Sequence, residues 1–287
     1  MIAPSASAWR PPCPAASSCT ASPATTRSSA KIMCALGLAC RHGSPATSKI
    51  VESIPHRLRT GIECLRERTE DDLLRIRRAQ ALWNEAADPR GTMAVQYLMA
   101  RALDLPDNLA GAVLRFHPRC PWRNEDTGKT ERIPALLAAF RPIDSDDIVA
   151  VHRIRLDQPQ RWPKADRRML GVVHRAAVKL DPLATTLIIG EGVETCMAAR
   201  QCMATGDIER APVWALGSVG GISFFPILDG VKRLTILGES GEASAQAVRL
   251  CGHRWQYAGR RVQVLYSEIG SDVNDALMME KIDARKI

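Results

Sequence analysis

The fold is best predicted from one stretch of the sequence, Leu187-Ile188-Ile189-Gly190-Glu191-Gly192-Val193-Glu194-Thr195. Its first part is a continuous apolar run that ends in glycine, which is typical of a strand buried on both faces of a parallel sheet. The residues that follow predict the start of a helix with an acid in its first turn. A strand that passes directly into a helix is the repeating unit of α/β folds.

The same alternation of strand and helix continues towards the C-terminus. Strands are predicted at residues 186–190, 213–216, 234–238 and 262–266. Helices are predicted at residues 193–205 and 243–257, with a short one near 222–228. Continuous apolar strands with helices between them indicate a four-stranded parallel sheet flanked by helices. We therefore predict an α/β domain over residues 183–280.

The preceding region, residues 66–182, has a different pattern. Thr69 followed by three acids predicts the start of a helix, and apolar residues then recur at helical spacing. A second helix is predicted at 92–102, and short β-like runs follow at 112–117, 148–156 and 176–180. This region is interpreted as a small α+β module.

The first 60 residues differ from the rest, since no acid occurs before Glu52. Ala, Ser, Pro and Thr dominate, and such a composition predicts disorder. An organelle transit peptide or a misplaced reading frame would give the same composition. Zinc is not expected here, because the cysteine pairs Cys13/Cys19 and Cys34/Cys40 lack the C-x2-C spacing of a zinc knuckle.

Composition narrows the class of protein and of partner. Apolar residues at 46% and charged residues at 24% are typical of a globular chain. No apolar run approaches the roughly 18 residues that a membrane span needs, so no membrane partner is expected. Nine scattered cysteines indicate reduced thiols and a cytoplasmic location. A net charge of +8 fits either a polyanionic partner or a basic surface with no dedicated partner.

Acidic residues follow three of the four predicted C-terminal strands. They are Glu191 and Glu194, then Glu239 and Glu242, then Glu268, Asp272 and Asp275. Because the carboxyl ends of parallel strands meet at one edge of a sheet, these side chains are expected to converge there. A structural alternative is that each acid only begins a helix. Converging carboxylates favour Mg²⁺ or Mn²⁺, which take oxygen ligands and leave positions for phosphate.

These motifs resemble those of the Toprim family of primases, topoisomerases and nucleases. Residues 187–195 resemble its first motif, residues 234–244 its second, and Gly270-Ser271-Asp272-Val273-Asn274-Asp275 the closing motif of phage and plasmid primases. The middle module also resembles the segment that precedes the Toprim domain in primase-like proteins of mobile elements. The resemblance lies in Tyr97-Leu98-x-x-Arg101, residues 114–118 and Val151-His152-Arg153.

The resemblance implies a role for each matched residue. Glu191 matches the general acid/base, Glu239 the first metal-binding acid, and Asp272 and Asp275 the late acids. The second metal-binding aspartate falls on Gly241, which has no side chain to ligate, and the neighbouring Glu242 is the candidate substitute. This departure from the motif predicts impaired catalysis without affecting the fold.

The resemblance also implies a function. The leading expectation is a primase-like nucleotidyltransferase that makes RNA primers on single-stranded DNA with Mg²⁺, in the replication of a mobile element. The alternatives are a Toprim nuclease and a non-catalytic DNA-binding remnant. Nucleoside triphosphates are the expected second substrate, and a helicase would be a separate protein because the sequence contains no Gly-x4-Gly-Lys phosphate loop.

A cationic track in the middle module is the expected contact with the DNA template. Its candidate residues are Arg153, Arg155, Arg161, Lys164 and Arg168, with Trp162 available to stack on an unpaired base. The alternative is a solvated basic surface with Trp162 in the core. His117, His152 and His174 are expected to pack or to form hydrogen bonds.

Overall fold

The computed structural model describes residues 38–41, 68–204, 210–267 and 269–284. Its helices are α1 (Glu70–Glu85), α2 (Met93–Ala100), α3 (Val193–Ala204), α4 (Val219–Ser223), α5 (Glu242–Tyr257) and α6 (Val273–Ala284), with a 3-10 helix at Pro159–Lys164. Its strands are β1 (Leu38–Arg41), β2 (Leu114–Arg123), β3 (Thr130–Pro142), β4 (Ala150–Arg155), β5 (Arg167–Gly171), β6 (Ala176–Lys179), β7 (Thr186–Gly190), β8 (Val213–Ala215), β9 (Arg233–Gly238) and β10 (Arg261–Ser267).

The C-terminal half is a parallel sheet in the order β10-β9-β7-β8. Alternate residues of β7 point to opposite faces, so Ile188 packs with α3 and α6 while Leu187 and Ile189 pack with α4 and α5. The sheet is thus covered by helices on both sides, which explains why its strands are continuous apolar runs. The predicted α/β architecture is confirmed.

The preceding region contains an antiparallel sheet in which β3 pairs with both β2 and β4, and β4 pairs with β5. Helix α1 begins at Thr69, whose side chain accepts a hydrogen bond from Asp72 N in a capping box. Its buried face, including Leu82 and Trp83, packs on one side of this sheet, and α2 covers the other side through Tyr97 and Leu98.

A short strand, β6, joins the two sheets. It pairs antiparallel with the end of β3 at Arg141↔Ala177 and with β8 at Val178↔Ala215. Strand order therefore runs without a break from β10 through β8, β6 and β3 to β5. One core cluster contains residues of both halves, among them Leu98, Phe140, Val178 and Met197.

Strand β1 lies within the segment that was predicted to be disordered. It pairs antiparallel with β10, with Leu38 opposite Ser267 and Arg41 opposite Val264. The remainder of residues 1–60, including Cys13, Cys19 and Cys34, lies outside the described residues. Across the described ranges, no helix combines the length and apolar character needed to cross a membrane.

Candidate functional site

The acidic residues that follow β7 and β9 and precede α6 come together in one cleft. Glu191, Glu239, Asp272 and Asp275 all line it. The connection after β9 is tied to the one before α6, because Ser240 N donates to Ser271 O at 3.0 Å. The convergence expected from the strand order is therefore present at the carboxyl edge of the sheet.

Glu239 lies at the centre of this acidic cluster. Burial, together with the charges of Glu191 and Asp272, raises the pKa of Glu239 to about 7. The hydrogen bonds that oppose this rise are few: Gly192 N–H donates to the carboxylate, and Thr195 Oγ1 donates to Glu239 Oε1 at 3.4 Å. Negative charge at this position is thus only partly compensated by the protein.

Glu191 is half-buried beside the loop that follows β8. Burial raises the pKa of Glu191, and a hydrogen bond from Val219 N–H acts in the opposite direction. The same loop is fixed to the backbone, because Gly217 N donates to Glu191 O at 2.9 Å. The side-chain carboxylate and the main-chain carbonyl of Glu191 thus each accept a hydrogen bond from a main-chain N–H, and these bonds hold Glu191 at the cleft.

Asp272 and Asp275 also have a structural role at the start of α6. Asp275 N donates to Asp272 Oδ1 at 2.9 Å, and Asp275 Oδ2 accepts from Ser271 N at 3.1 Å. Ser271 Oγ donates to the same oxygen. Both acids therefore also begin helix α6, as the structural alternative proposed. The carboxylate of Asp275 is less available to a cation than that of Asp272, because it accepts two hydrogen bonds from Ser271.

Glu242, the candidate substitute for the missing aspartate, does not line the cleft. It begins α5 and forms an ion pair with Arg249 at 2.6 Å on the exposed side of the helix. Gly241 itself has φ +109° and ψ 152°, a backbone conformation essentially restricted to glycine. The main chain at this position has therefore adopted a geometry that an aspartate would have to change.

The first module supplies cationic and polar residues to the same cleft. They are Arg101 from the end of α2, His152 from β4, Lys164 from the 3-10 helix, and Arg167 and Arg168 from β5. The end of α2 is attached to α6, since Asn274 Nδ2 donates to Arg101 O at 2.8 Å. The cleft of about 470 Å³ thus has an acidic wall and a basic wall from different parts of the chain.

The two walls are joined by a buried network around Glu194. Tyr97 Oη donates to Glu194 Oε1 at 2.6 Å, and Arg167 Nη2 donates to the same oxygen at 2.7 Å. Although burial opposes ionisation, Arg167, His152 and Tyr97 together lower the pKa of Glu194 to about 2. Glu194, predicted only as one of the edge acids, therefore serves as an anchor between the modules.

This network was not anticipated from the sequence, although one signal for it was present. Tyr97 lies four residues before Arg101, the residue that caps the end of α2, so both are on one helix face, and Arg101 interacts electrostatically with Tyr97 beside the network. Burial lowers the pKa of His152, which lies against the network and lines the cleft as a neutral ring. The expectation that His152 packs in the interior agrees with its position.

The five candidate nucleic-acid residues differ in availability. Lys164 is exposed at the cleft. Arg168 also borders the cleft, but its Nη1 donates to Arg123 O at 2.6 Å and lies 3.0 Å from Glu125, and its guanidinium lies over the Trp122 ring at 4.8 Å. Arg161 is exposed beside Asp166 at 3.5 Å and does not line the cleft.

Arg153 and Arg155 do not fit the predicted track. Arg153 Nη1 donates to Pro121 O at 2.9 Å, and burial lowers the pKa of its guanidinium. Arg155 is paired with Asp157 at 2.6 Å and with Glu131 at 3.4 Å. Both guanidinium groups are engaged within the protein, so neither is available to a phosphate as the structure stands.

Trp162 belongs to the core rather than to a stacking surface. It is 8% exposed, and its Nε1 donates to Leu156 O at 3.0 Å. Its ring contacts Tyr97 edge to face at a centroid distance of 5.9 Å. The core alternative is the one that the structure supports, because stacking on a base would require an exposed ring face.

The acidic cluster suits a hard divalent cation by the kind of its donors. Glu239 and Asp272 offer carboxylate oxygens. Burial first, and then the charges of Glu191 and Asp272, raise the pKa of Glu239, and a bound cation would offset the charge repulsion. Among the described residues, however, no group of three or more His, Cys, Asp or Glu side chains is arranged to hold a metal ion. The donor type therefore fits Mg²⁺ or Mn²⁺, with fewer carboxylates in place than the Toprim motif provides.

Two protein families match different parts of the chain. Residues 186–283 match the Toprim domain family, and residues 74–180 match a family described as a domain of unknown function (DUF7146). No curated protein matches the sequence.

The solved structures that are similar to the chain include two primases. The primase fragment of the bacteriophage T7 primase-helicase protein has 15% identity and a TM-score of 0.39, over 65% of this chain and 70% of that one. The zinc-binding and RNA polymerase domains of the Aquifex aeolicus primase give 13% identity and a TM-score of 0.46, over 76% of this chain and 60% of that one. The chain thus spans less than two thirds of the Aquifex protein's length.

Three observations agree that the C-terminal half is a Toprim domain. They are the sheet order, the position of the acidic cluster and the family match at residues 186–283. The resemblance inferred from the motifs is confirmed. Residues 186–283 of the chain are a Toprim domain, and a second module precedes this domain and shares its cleft.

Proposed function

We propose that this protein is a primase-related nucleotidyltransferase that joins ribonucleotides on single-stranded DNA with Mg²⁺ or Mn²⁺. The observation that carries the proposal is a single cleft that is lined by Glu191, Glu239 and Asp272 and also by Lys164 and Arg168. A cation-binding wall beside a phosphate-binding wall is what phosphoryl transfer requires, since that reaction depends on positioning and on neutralising charge.

Each wall has a separate task in this proposal. Glu191 would accept the proton of the attacking hydroxyl, because half-burial raises the pKa of its carboxyl towards the range useful for a base. Lys164 would hold phosphates of the template or of the incoming nucleoside triphosphate, and Arg168, whose Nη1 is engaged by Arg123 O and Glu125, lies at the same cleft. A divalent ion held by Glu239 and Asp272 would supply charge neutralisation at the transferred phosphoryl group.

The second module has a positioning task. Arg167 donates to Glu194 through Nε at 3.0 Å and through Nη2 at 2.7 Å, and its Nη1 donates to Ala165 O at 2.9 Å. Its donors are therefore used inside the protein, and Arg167 fixes β5 against α3. This keeps Lys164 and Arg168 at a constant distance from the helix that follows Glu191.

One observation favours a second candidate, a DNA-binding remnant without turnover. The aspartate missing at Gly241 leaves the cation with fewer carboxylates, and Glu242 is turned away from the cleft. We expect slow activity that is higher with Mn²⁺ than with Mg²⁺.

The replication of a mobile element and a separately encoded helicase are part of the proposal, as the biological setting in which such an activity would be used.

The test is incorporation of labelled ribonucleotides on a single-stranded DNA template with each metal. Glu191→Gln should abolish incorporation while DNA binding and the unfolding transition stay unchanged. Glu242→Gln is the matched control, because it removes an acid outside the cleft, and it should retain activity. If the wild type incorporates nothing and still binds DNA, the remnant is correct; if it instead degrades the template without nucleotides, the protein is a nuclease.

A further inference from the structure

A second cavity lies at the seam between the two modules. Its volume is about 220 Å³, and its walls come from the β5–β6 connection and from the loop and helix that follow β8. Residues of the first module in this wall include Val173, His174 and Arg175, and those of the Toprim domain include Leu216, Ser218 and Phe224. The acidic cluster contributes no residue to this cavity.

The walls combine apolar surface with positive charge at the rim. Leu216 and Phe225 are buried and form an apolar floor, and Phe225 is itself stacked on Trp255 at a centroid distance of 5.9 Å. Phe224, the adjacent aromatic residue, is 46% exposed at the cavity. An apolar slot with an accessible aromatic ring is suited to a flat, uncharged ring system.

Arg175 places a cation on this rim in an unusual backbone conformation. Its φ is +52°, in the left-handed region that residues other than glycine adopt at a cost. The conformation is held because Ile143 N donates to Arg175 O at 3.0 Å. With His174 beside it, the cavity thus has a rim suited to an anionic group attached to the ring system.

The cavity is next to the catalytic cleft along the chain. Leu216 and Ser218 line the cavity, while Gly217 between them lines the cleft. Val219 N–H, from the same loop, donates to the Glu191 carboxylate. The two spaces are therefore separated by one loop, and consecutive Cα atoms are only about 3.8 Å apart.

We propose that this cavity binds the base of a nucleotide, with the base stacked on Phe224 and the phosphate contacted by Arg175. The proposal rests on the function proposed for the cleft and names a subsite for its substrate. The volume and the apolar floor suit a base, and the guanidinium of Arg175 suits its phosphate. The nucleotide is either a free nucleoside triphosphate or a residue of the single-stranded template, since both present this chemistry.

The test compares ligands with and without a base in equilibrium binding, with no turnover required. Wild-type protein should bind a nucleoside triphosphate more tightly than inorganic triphosphate. Phe224→Ala should weaken nucleotide binding about 5- to 150-fold, as expected for the loss of one base stacked on an aromatic ring, and should leave inorganic triphosphate binding unchanged. Tyr257→Ala is the matched control, because Tyr257 is 77% exposed and lies outside both cavities.

Two further variants keep the result independent of any single substitution. Arg175→Gln should weaken binding of the nucleotide, while Arg77→Gln, at an exposed position on α1, should not. Gly220→Leu should block the cavity from its wall, since a Cβ there meets nothing closer than Ser218 Oγ at 3.7 Å. A parallel titration with a single-stranded oligonucleotide shows which source of the base the cavity takes.

The outcomes separate this proposal from the proposed function. If Phe224→Ala and Gly220→Leu leave the affinities for both nucleoside triphosphate and oligonucleotide unchanged, the base subsite is wrong even where primers are made. If base-dependent binding is lost in these variants although the wild type incorporates no nucleotide, the subsite stands and the nucleotidyltransferase proposal fails.

Discussion

The hydroxyl of Tyr97 donates a 2.6 Å hydrogen bond to the carboxylate of Glu194, across 97 residues of sequence. Burial and the charge of Glu194 raise the pKa of Tyr97 well above 10.0, so the hydroxyl stays protonated and remains a donor. Glu194 stands three residues after Glu191 and belongs to the first turn of α3. The bond therefore fixes the helix that follows Glu191 to the module that carries Lys164 and Arg167.

Removing this hydroxyl should destabilise the protein measurably. We expect Tyr97→Phe to lower the free energy of unfolding by about 1.5–3 kcal/mol, the usual range for a hydrogen bond to a charged group. Urea unfolding measures the change, and Tyr257→Phe at an exposed position is the control. An unchanged midpoint for Tyr97→Phe would mean that Arg167 alone satisfies Glu194.

The same carboxylate predicts a pH dependence of stability. The pKa of Glu194 in the folded protein, about 2, lies below its ordinary value of 4.5, so the unfolded chain takes up the proton first as pH falls. Its contribution is complete above about pH 5 and is lost as pH falls through 4.5 towards 2.

The variant Glu194→Gln isolates this contribution from those of other acids. At pH 7 it should be less stable than the wild type by about 3–5 kcal/mol, because Arg167 loses its buried partner. The difference should shrink steadily when urea unfolding is repeated at decreasing pH below 5. A difference that stays constant down to acid pH would show that the carboxylate is not the group responsible.

Divalent cations should stabilise the folded protein through the acidic cluster. At a concentration one hundred times the dissociation constant, Mg²⁺ or Mn²⁺ should add about 2.7 kcal/mol, seen as an increase in Tm. Glu239→Gln should remove this effect, because it deletes the central carboxylate. Glu242→Gln should keep it, since Glu242 pairs with Arg249 outside the cleft; equal losses in both variants would contradict a site at the cleft.

The basic residues should separate into those that bind DNA and those that support the fold. Lys164→Gln should weaken single-stranded DNA binding and reduce the slope of log affinity against log salt by about 0.7, as for one phosphate contact. Arg155→Gln should leave that slope unchanged, because its guanidinium is paired with Asp157 and Glu131. Titrations at several salt concentrations decide the matter, and equal slopes for both variants would refute the distinction.

Restoring the aspartate of the Toprim motif should not restore full activity. At φ +109° an L-residue is strained, so Gly241→Asp should cost about 1–3 kcal/mol of stability. Gly241→Ala is the matched control, since it introduces the same strain without a carboxylate. We expect similar stability and similar incorporation rates for the two variants. A clear gain for the aspartate over the alanine would show that the carboxylate reaches the metal in spite of the strain.

The sequence predicted the Toprim half closely because its strands are buried on both faces. All four strands and both long helices between them lie within one or two residues of their predicted bounds. It did not predict β3, the central strand of the first module, because Pro134 and Pro142 within Thr130–Pro142 are unusual in a strand. Pro134 is accommodated, and its carbonyl accepts a hydrogen bond from Leu156 N at 3.0 Å.

The candidate site was predictable to the extent that chain order determines it. Glu191, Glu239 and Asp272 follow or flank the ends of adjacent strands, so their convergence follows from the strand order. The partners of Glu194 and Arg155 could not be read from the sequence. Arg167 and Tyr97 reach Glu194 from 27 and 97 residues away, and Glu131 reaches Arg155 from 24 residues away. Such pairings depend on tertiary packing rather than on local pattern.

The place of β6 determines how the protein can be divided. A fragment beginning at residue 183, where the sequence predicts the start of the second domain, would lack β6 and leave the backbone of β8 without its antiparallel neighbour. A strand edge uncovered in this way offers unpaired amides and carbonyls to other chains and promotes aggregation. A fragment beginning near residue 172 keeps β6 on the edge of β8 and should aggregate less than the shorter fragment, although β6 loses its own pairing with β3 at Ala176 and Ala177.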